Sequence, residues 1–260
     1  MKVFGKSDIG NIRKANEDVF GTKLIADNAL LAVVCDGMGG LDLGDVAAKL
    51  ALTTFTDVVE RLCASHIKDR RLSLSDTEAD FILNNAITVA NNRVISKQEE
   101  MDVSDGMGTT LVAALIVDGG KRISWANIGD SRLYTVDSRD ILQVSKDHSY
   151  VQYMIDQGKM TLEEAKKSKK KNLITKAIGI DTVCSPDTDT FPLTQSEINE
   201  TKILLCSDGF SNSVSEEECM SVVMDNSMSA EERVNTLIEL AKKNDGSDNI
   251  TLIMIDLKGD

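Results

Sequence analysis

Short apolar runs separated by polar turns recur along the chain and predict β-strands. Turns such as "VDGGKR" and "VDSRDI" join neighbouring runs directly, which is typical of β-hairpins. Short turns can join antiparallel strands, whereas parallel strands need long crossovers, so we expect antiparallel sheets. The predicted strands are residues 19–25, 30–35, 109–117, 122–127, 133–136, 202–206 and 249–257.

Apolar residues with helical spacing interrupt these strands over long stretches. In the second such stretch the apolar stripe begins at Phe81 and ends at Val94. Two shorter helices are expected late in the chain. The predicted helices are residues 44–62, 76–97, 215–224 and 230–242.

Residues 150–170 also have a helical pattern, but the segment ends in "KKSKKK", Lys166–Lys171, which we name the lysine run. The segment lies between strand-rich halves and predicts an inserted flap of about residues 145–180, named the flap below. A solvated helix end is the plainer interpretation of the lysine run, and a docking patch is the alternative.

No repeat and no Pro- or Ser-rich linker divides the sequence. We therefore predict a single α+β domain over residues 1–260. Its centre would be a sandwich of two antiparallel β-sheets, flanked by pairs of α-helices in four layers, with the small helical flap attached.

Composition narrows the functional classes. The net charge is −13 and no basic stripe offsets it, so we expect no binding to nucleic acid or to anionic membrane surfaces. No apolar stretch approaches the roughly 20 residues that a membrane span needs, so we expect no insertion into a membrane. The N-terminal residues carry no long apolar run, so no signal peptide is expected. Five cysteines without CxxC spacing indicate reduced thiols and a cytoplasmic location. With only His66 and His148 present, zinc hydrolases of the HExxH type are excluded.

The stretch "LLAVVCDGMGG" carries a buried run straight into Asp36 and a glycine-rich turn. A dinucleotide loop fails here because Asp42 stands where the third glycine belongs, and an acid opposes a bound pyrophosphate. Other acids share this position where a strand meets a turn. They are Glu17, Asp18, Asp130, Asp208 and Asp248, the last followed by Asn249.

Clustered carboxylates repel one another unless a cation intervenes, and an all-oxygen ligand set favours Mg²⁺ or Mn²⁺. Any single Asp-Gly at a strand end is more simply a turn, and Asp130 could merely close a hairpin. Because the same arrangement recurs along the whole chain, we interpret the acids jointly as a metal site.

The ordered motifs of the chain resemble those of the protein phosphatase 2C-like family, metal-dependent serine/threonine phosphatases, and most closely its compact bacterial members. The resemblance runs from about Val3 to Leu257. It rests on "RKANEDVF", "VVCDGMGG", "GMGTTLVAALI", "NIGDSRLY", "KDHSYVQYMIDQGKMT", "NLITKAIG", "LLCSDGFSN" and "GSDNITLIMI".

The resemblance implies roles for individual residues. Asp36 would bridge two metal ions, with the Gly37 carbonyl on one of them. Asp208 and Asp248 would bind the first metal. Asp18, beside Glu17, would contribute to the second through water.

It also implies that Arg13 holds the substrate phosphate. A third metal is common in the family, and Asp130 or Asp105 could serve it with Asp208. Animal members carry a histidine where this chain has Met38, so the general acid stays open between a metal-bound water and another residue. For His148 a structural or flap role is the first interpretation.

The resulting expectation is a phosphomonoester hydrolase that uses two or three Mn²⁺ or Mg²⁺ ions. A metal-bridging hydroxide would attack phosphorus directly, without a phosphoenzyme. Its substrates would be phosphorylated proteins, products of a Ser/Thr kinase, and the chain would be monomeric. The alternatives are a non-catalytic pseudophosphatase, a regulatory phosphatase with one target and a Ca²⁺-binding structural domain.

Overall fold

The computed structural model describes residues 1–39, 43–103 and 106–258. Its strands are β1 (Lys2–Asp8), β2 (Asp18–Ala26), β3 (Ala29–Gly39), β4 (Ile67–Lys68), β5 (Arg71–Leu72), β6 (Met107–Thr109), β7 (Leu111–Val117), β8 (Arg122–Ile128), β9 (Arg132–Val136), β10 (Ile141–Gln143), β11 (Asp187–Pro192), β12 (Lys202–Cys206) and β13 (Ile250–Asp256). Its helices are α1 (Leu43–Cys63), α2 (Asp76–Met101), α3 (Tyr150–Asp156), α4 (Leu162–Lys167), α5 (Gln195–Glu200), α6 (Asp208–Ser211), α7 (Glu216–Val223) and α8 (Ala230–Asn244).

Most of the described strands form two antiparallel sheets, and β4 and β5 pair with each other as a separate two-stranded hairpin. One has the order β1-β13-β12-β9-β10, and the other has the order β11-β8-β7-β3-β2, with β6 paired to the end of β3. The two hairpins expected from turn chemistry are present, because β7 pairs with β8 and β9 pairs with β10. The predicted antiparallel pairing is therefore confirmed.

Alternation along β3 shows how the layers are built. Leu31 and Val33 belong to the core under α1 and α2, whereas Leu30 and Ala32 belong to the core between the two sheets. A strand buried on both faces reads as a continuous apolar run for this reason. A third core lies between β12 and β13 on one side and α7 and α8 on the other. The order helix pair, sheet, sheet, helix pair confirms the predicted α+β sandwich.

Several boundaries differ from the sequence-based prediction. The expected strand 109–117 is divided at Thr110 into β6, which pairs with the end of β3, and β7, which pairs with the middle of β3 in the sheet. The expected helix 150–170 is two short helices, α3 and α4, and Gly158 between them has a left-handed backbone (φ 64°). Phe81 was placed on the buried stripe of α2 but is 61 % exposed, and Leu83 and Ile87 face the core instead.

The strands that the pattern missed are mostly at sheet edges. β1, β10 and β11 each have a partner on one side only, and most of their residues are half-buried, so neither face gives a clear apolar pattern. Within the described residues, no helix combines the length and apolar character needed to cross a bilayer.

Candidate metal and active site

The acids that the sequence placed at strand ends meet at one end of the sandwich. Asp18 at the start of β2 is directly opposite Asp36 near the end of β3. Asp208 follows β12, and Asp248 precedes β13, whose first residues pair with the last residues of β12. Antiparallel register thus brings together segments that are far apart in sequence.

Asp130 joins the same end of the molecule from another direction. It lies between β8 and β9, and these strands belong to different sheets. The interpretation of Asp130 as the turn of a hairpin is therefore wrong, because its loop crosses from one sheet to the other. Asp130 is also buried, with 6 % of its surface exposed, which is unusual for a simple turn residue.

Burial and mutual repulsion raise the pKa values of the acids at this end of the sandwich. Burial raises the pKa of Asp36 well above its usual range, and the charges of Asp18, Asp208, Asp130 and Asp248 raise it further. Burial, and then the charges of Asp208 and Asp248, raise the pKa of Asp18 to about 7, against hydrogen bonds that lower it. Such a cluster needs either protons or a cation to offset its charge.

The same causes act on the two acids at the rim of this cluster. Burial and the charge of Asp208 raise the pKa of Asp130 to about 8. Burial and the charge of Asp248 raise the pKa of Asp208, against a hydrogen bond shared with Asp36. Mutual perturbation of this kind shows that Asp36, Asp208 and Asp130 share one electrostatic environment.

One buried oxygen in the cluster has no partner. Asp18 Oδ2 accepts a hydrogen bond from Ser207 Oγ at 2.7 Å, but no donor of the described residues reaches Asp18 Oδ1. A buried carboxylate oxygen without a donor is costly, so it indicates a missing cation or its water. The donor set is made only of oxygen, which fits Mg²⁺ or Mn²⁺.

The part of the chain that the structure describes forms no closed cage of side chains around an ion. Within residues 1–39, 43–103 and 106–258, no three His, Cys, Asp or Glu side chains surround a common point as ligands of one ion. Mg²⁺ does not require this, since it usually keeps several waters and takes one or two carboxylates from the protein. The residues therefore fit a hydrated hard cation.

Both Asp-Gly pairs of the site need glycine because backbones approach closely. A Cβ on Gly37 would lie 2.3 Å from the Gly44 carbonyl oxygen and 2.7 Å from that of Glu17. A Cβ on Gly209 would lie 2.0 Å from the Asn249 carbonyl oxygen. These contacts hold the segments of Asp36 and Asp208 against their neighbours.

Sequence reasoning assigned no role to the hydroxyl groups that fix Asp36. The Asp36 backbone N–H donates to Thr110 Oγ1 at 3.0 Å, and Thr109 Oγ1 donates to the Asp36 carbonyl at 2.8 Å. Thr110 Oγ1 also contacts Ser131 Oγ at 2.7 Å. The two threonines at the break between β6 and β7 thus hold the backbone of Asp36. In the sequence, the stretch "GMGTTL" is the signal from which this support could be predicted.

Asn249 supports the loop that carries Arg13. Its Oδ1 accepts from the Glu17 backbone N–H at 2.9 Å, and its Nδ2 donates to the carbonyls of Ile9 and Ala15, each at 3.0 Å. These bonds commit both ends of the amide to the loop. Asn249 therefore positions this loop in the structure.

Arg13 reaches the cluster from that loop. Its Nη2 donates to Asp248 Oδ2 at 2.8 Å, and about half of its side chain is exposed. The guanidinium is therefore both near the carboxylates and open to solvent. Glu17 contributes its carbonyl, which accepts from the Gly37 N–H at 3.1 Å, and its Oε1 lies against Gly44.

His148 lies at the base of the flap. Its Nδ1 accepts from the Gly129 N–H at 3.2 Å, and its Nε2 faces Lys176 Nζ at 3.3 Å and Asp187 Oδ2 at 3.2 Å. Burial and the charge of Lys176 lower its pKa. These contacts give His148 a structural position.

Asp105, the other acid considered for a third metal, lies outside the described residues.

Comparison with known proteins decides the family. The family model described as protein phosphatase 2C matches residues 12–243. The chain belongs to the protein phosphatase 2C family. The resemblance stated from the motifs is confirmed, and with it the expectation that the chain is a protein-serine/threonine phosphatase.

Relatives match over nearly the full length. The serine/threonine phosphatase stp of Listeria monocytogenes serotype 4b is 33 % identical over 252 residues, which cover 96 % of this chain and 94 % of the relative. The crystal structure of the serine/threonine phosphatase Stp1 from Staphylococcus aureus is similar with a TM-score of 0.87 and 32 % identity, covering 99 % of this chain and 95 % of that one.

A further solved structure contains metal. It is the catalytic domain of the serine threonine protein phosphatase PstP in complex with two manganese ions, with a TM-score of 0.79 and 30 % identity. The match covers 98 % of this chain and 97 % of that one.

Proposed function

We propose that this protein phosphatase 2C member hydrolyses phosphoserine and phosphothreonine in phosphoproteins, and that it depends on two or three Mn²⁺ or Mg²⁺ ions. The observation that carries the proposal is the pair of buried Asp18 and half-buried Asp36, joined by Asp208 and Asp248 at one end of the sandwich. The two manganese ions of the PstP catalytic domain support the choice of metal.

The ions would be held by a small set of oxygen ligands. Asp36 would lie between two ions, with the Gly37 carbonyl beside it, and Asp208 and Asp248 would hold the first. Asp18 would hold the second ion through water. This agrees with the hydrogen bond that Asp18 Oδ2 already accepts from Ser207 Oγ. Asp130 would serve a third ion together with Asp208.

When bound, the ions would lower the pKa of water towards neutrality and offset the charge of the phosphoryl oxygens. The protein would contribute position and charge. Arg13 would exchange its bond to Asp248 for a forked contact with the phosphate, because a guanidinium matches two phosphate oxygens. The half-exposed state of its side chain leaves room for this exchange.

We propose direct attack of water on phosphorus, without a phosphoenzyme. A cysteine nucleophile is disfavoured because Cys35 and Cys206, the cysteines nearest to the acids in sequence, are fully buried. Burial raises the pKa of both thiols well above the usual range, so neither would form a thiolate at neutral pH. Met38 carries no proton to donate and His148 is engaged at the flap, so the leaving group would take its proton from water at the site.

The whole chain, residues 1–260, would act as one catalytic domain with the flap as an insertion. Its partners would be phosphorylated proteins, the products of a Ser/Thr kinase. We expect a monomer that acts in the cytoplasm.

The test is turnover of p-nitrophenyl phosphate and of phosphoserine, phosphothreonine and phosphotyrosine peptides, with Mn²⁺ and with EDTA. We expect metal-dependent hydrolysis, faster on phosphoserine and phosphothreonine, and none in Asp36→Asn. Asp57→Asn, a change of an exposed acid on α1, is the matched control and should be as active as the wild type. Full activity in EDTA or in Asp36→Asn would overturn the proposal, and inactivity of the wild type with Mn²⁺ would favour a pseudophosphatase.

A further inference from the structure

The lysine run is a concentrated patch of positive charge on an acidic protein. Five of its six residues are lysines and all five are exposed, although the chain carries a net charge of −13. Among the described residues, no carboxylate lies within ion-pair distance of these lysines. Lys170 is the one with a specific contact, because its Nζ lies 4.7 Å from the centre of the Tyr150 ring.

The acids of the flap leave this charge in place. Glu164 accepts from the Thr161 N–H at 2.8 Å in the capping box of α4, and Asp156 is paired with Lys146 at 2.7 Å. Glu163 lies one helical turn before Lys167 in α4, but among the described residues the two side chains form no ion pair within 4.0 Å. The carboxylates of the flap therefore do not pair with the positive charges of the lysine run.

The structure connects the lysine run to the catalytic end of the sandwich. The Tyr150 N–H donates to the Leu173 carbonyl at 2.8 Å, which closes the flap two residues after Lys171. Further along, the Ile178 N–H donates to the Thr109 carbonyl at 2.9 Å, and Thr109 holds the Asp36 carbonyl. The run thus leads directly into the segment that supports the site.

Backbone hydrogen bonds join the flap to the acidic end by a second route. The Thr175 N–H donates to the His148 carbonyl, and the His148 N–H donates to the carbonyl of Gly129, the residue before Asp130, both at 2.8 Å. Thr175 follows Lys171 by four residues, which span at most ~14 Å of extended chain. The end of the lysine run therefore lies near the segment that carries Asp130.

The net charge of −13 repels an acidic phosphopeptide as it approaches the protein. A patch of lysines beside the site reverses the sign of the field there, raises the rate of encounter and favours partners of opposite charge. We propose that the lysine run selects phosphoproteins whose phosphorylated residue is flanked by acidic side chains. This proposal rests on the proposed phosphatase function.

Nucleic acids and anionic membranes are less suited to the patch. Both are extended polyanions, so beyond the five lysines of the run they would meet the remainder of a protein whose net charge is −13. A peptide with a few flanking acids is short enough to stay on the lysine run.

The experiment compares two phosphothreonine peptides that differ only in flanks of Glu or Gln. Hydrolysis gives kcat and KM, and fluorescence anisotropy gives the Kd. The variant changes Lys167, Lys169 and Lys171 to Gln and retains Lys170 on the Tyr150 ring. The matched control changes the exposed lysines Lys68, Lys121 and Lys258 to Gln.

We expect the wild type and the control to prefer the Glu-flanked peptide about three- to tenfold in KM and Kd at low salt, roughly the effect of a few exposed ion pairs. The preference should disappear in the lysine-run variant and at high ionic strength, while kcat for the Gln-flanked peptide is retained. Equal KM and Kd for both peptides in the wild type would overturn the inference. So would a preference that survives in the variant, or lysine-dependent binding to phosphatidylserine vesicles with none to the peptides.

Anisotropy separates the two proposals. If the Glu-flanked peptide binds more tightly through the lysine run but is not hydrolysed with Mn²⁺, the phosphatase function fails and the recognition role stands. If both peptides are hydrolysed equally well, the function stands and the recognition role fails.

Discussion

Replacement of Asp18 by Asn should stabilise the metal-free protein at neutral pH although it damages the proposed metal site. Asp18 is 4 % exposed, and its Oδ1 has no donor among the described residues. Burial and the charges of Asp208 and Asp248 raise its pKa from 3.8 to about 7. Asn is neutral at every pH and can still accept the hydrogen bond from Ser207 Oγ.

The size of the effect follows from linkage between protonation and folding. The difference between about 7 and 3.8 corresponds to ~4 kcal/mol at about 1.4 kcal/mol for each pKa unit. This is an upper value, because neighbouring acids take up protons as well and so share the repulsion. Between pH 4 and pH 7 the folded state binds the proton and the unfolded state releases it. The stability of the metal-free wild type therefore falls as the pH rises through this window.

Urea unfolding in EDTA, at pH 5 and at pH 8, measures the free energy of unfolding of both proteins. We expect Asp18→Asn to exceed the wild type by ~2–4 kcal/mol at pH 8 and by much less at pH 5. Asp57→Asn should match the wild type at both pH values, since Asp57 is exposed. Added Mn²⁺ should reverse the order at pH 8, because a ligand stabilises the state that binds it. An Asp18→Asn variant that is less stable than the wild type at pH 8 in EDTA would refute the reasoning.

Three further changes test the surroundings of the site. Thr110→Val leaves the Asp36 N–H without its acceptor, so it should lower the free energy of unfolding by about 1–3 kcal/mol and reduce kcat. Thr110→Ser keeps the hydroxyl, so its free energy of unfolding in urea and its kcat should stay close to those of the wild type. Asn249→Ala removes the bonds that hold the Arg13 loop, so KM for a phosphopeptide should rise several-fold with a smaller change in kcat, and an unchanged KM would contradict its positioning role. The Kd for Mn²⁺ in calorimetry should weaken from pH 8 to pH 6, because Asp18, with a pKa of about 7, takes up a proton that competes with the ion; a Kd independent of pH would contradict this.

Much of the fold could be predicted because local patterns decide it. The apolar runs of β3 and β12 and the stripe of α1 require burial wherever they lie, and the turns at residues 118–120 and 137–140 require hairpins. The edge strands β1 and β11 could not be recognised in this way. Their pairing depends on neighbours that are distant in sequence, and their own residues alternate weakly.

The candidate site could likewise be predicted only in part. That acids stand at strand ends is visible in the sequence, but which of them meet depends on sheet register, as for Asp18 opposite Asp36. Supporting groups such as Thr110 and Asn249 were harder to assign, because a hydroxyl or amide has no pattern of its own. Their roles arise only when a backbone group from another segment needs a partner.

The central claim is that these strand-end carboxylates form the metal site of a phosphatase. Anomalous diffraction at the manganese edge, from crystals grown with Mn²⁺, tests it most directly. The account predicts at least two peaks beside the Asp36 carboxylate, each held by it directly or through bound water, with Asp208 and Asp248 next to the first peak, and the loss of both peaks in Asp36→Asn. Manganese bound elsewhere, with no peak at Asp36, would contradict it.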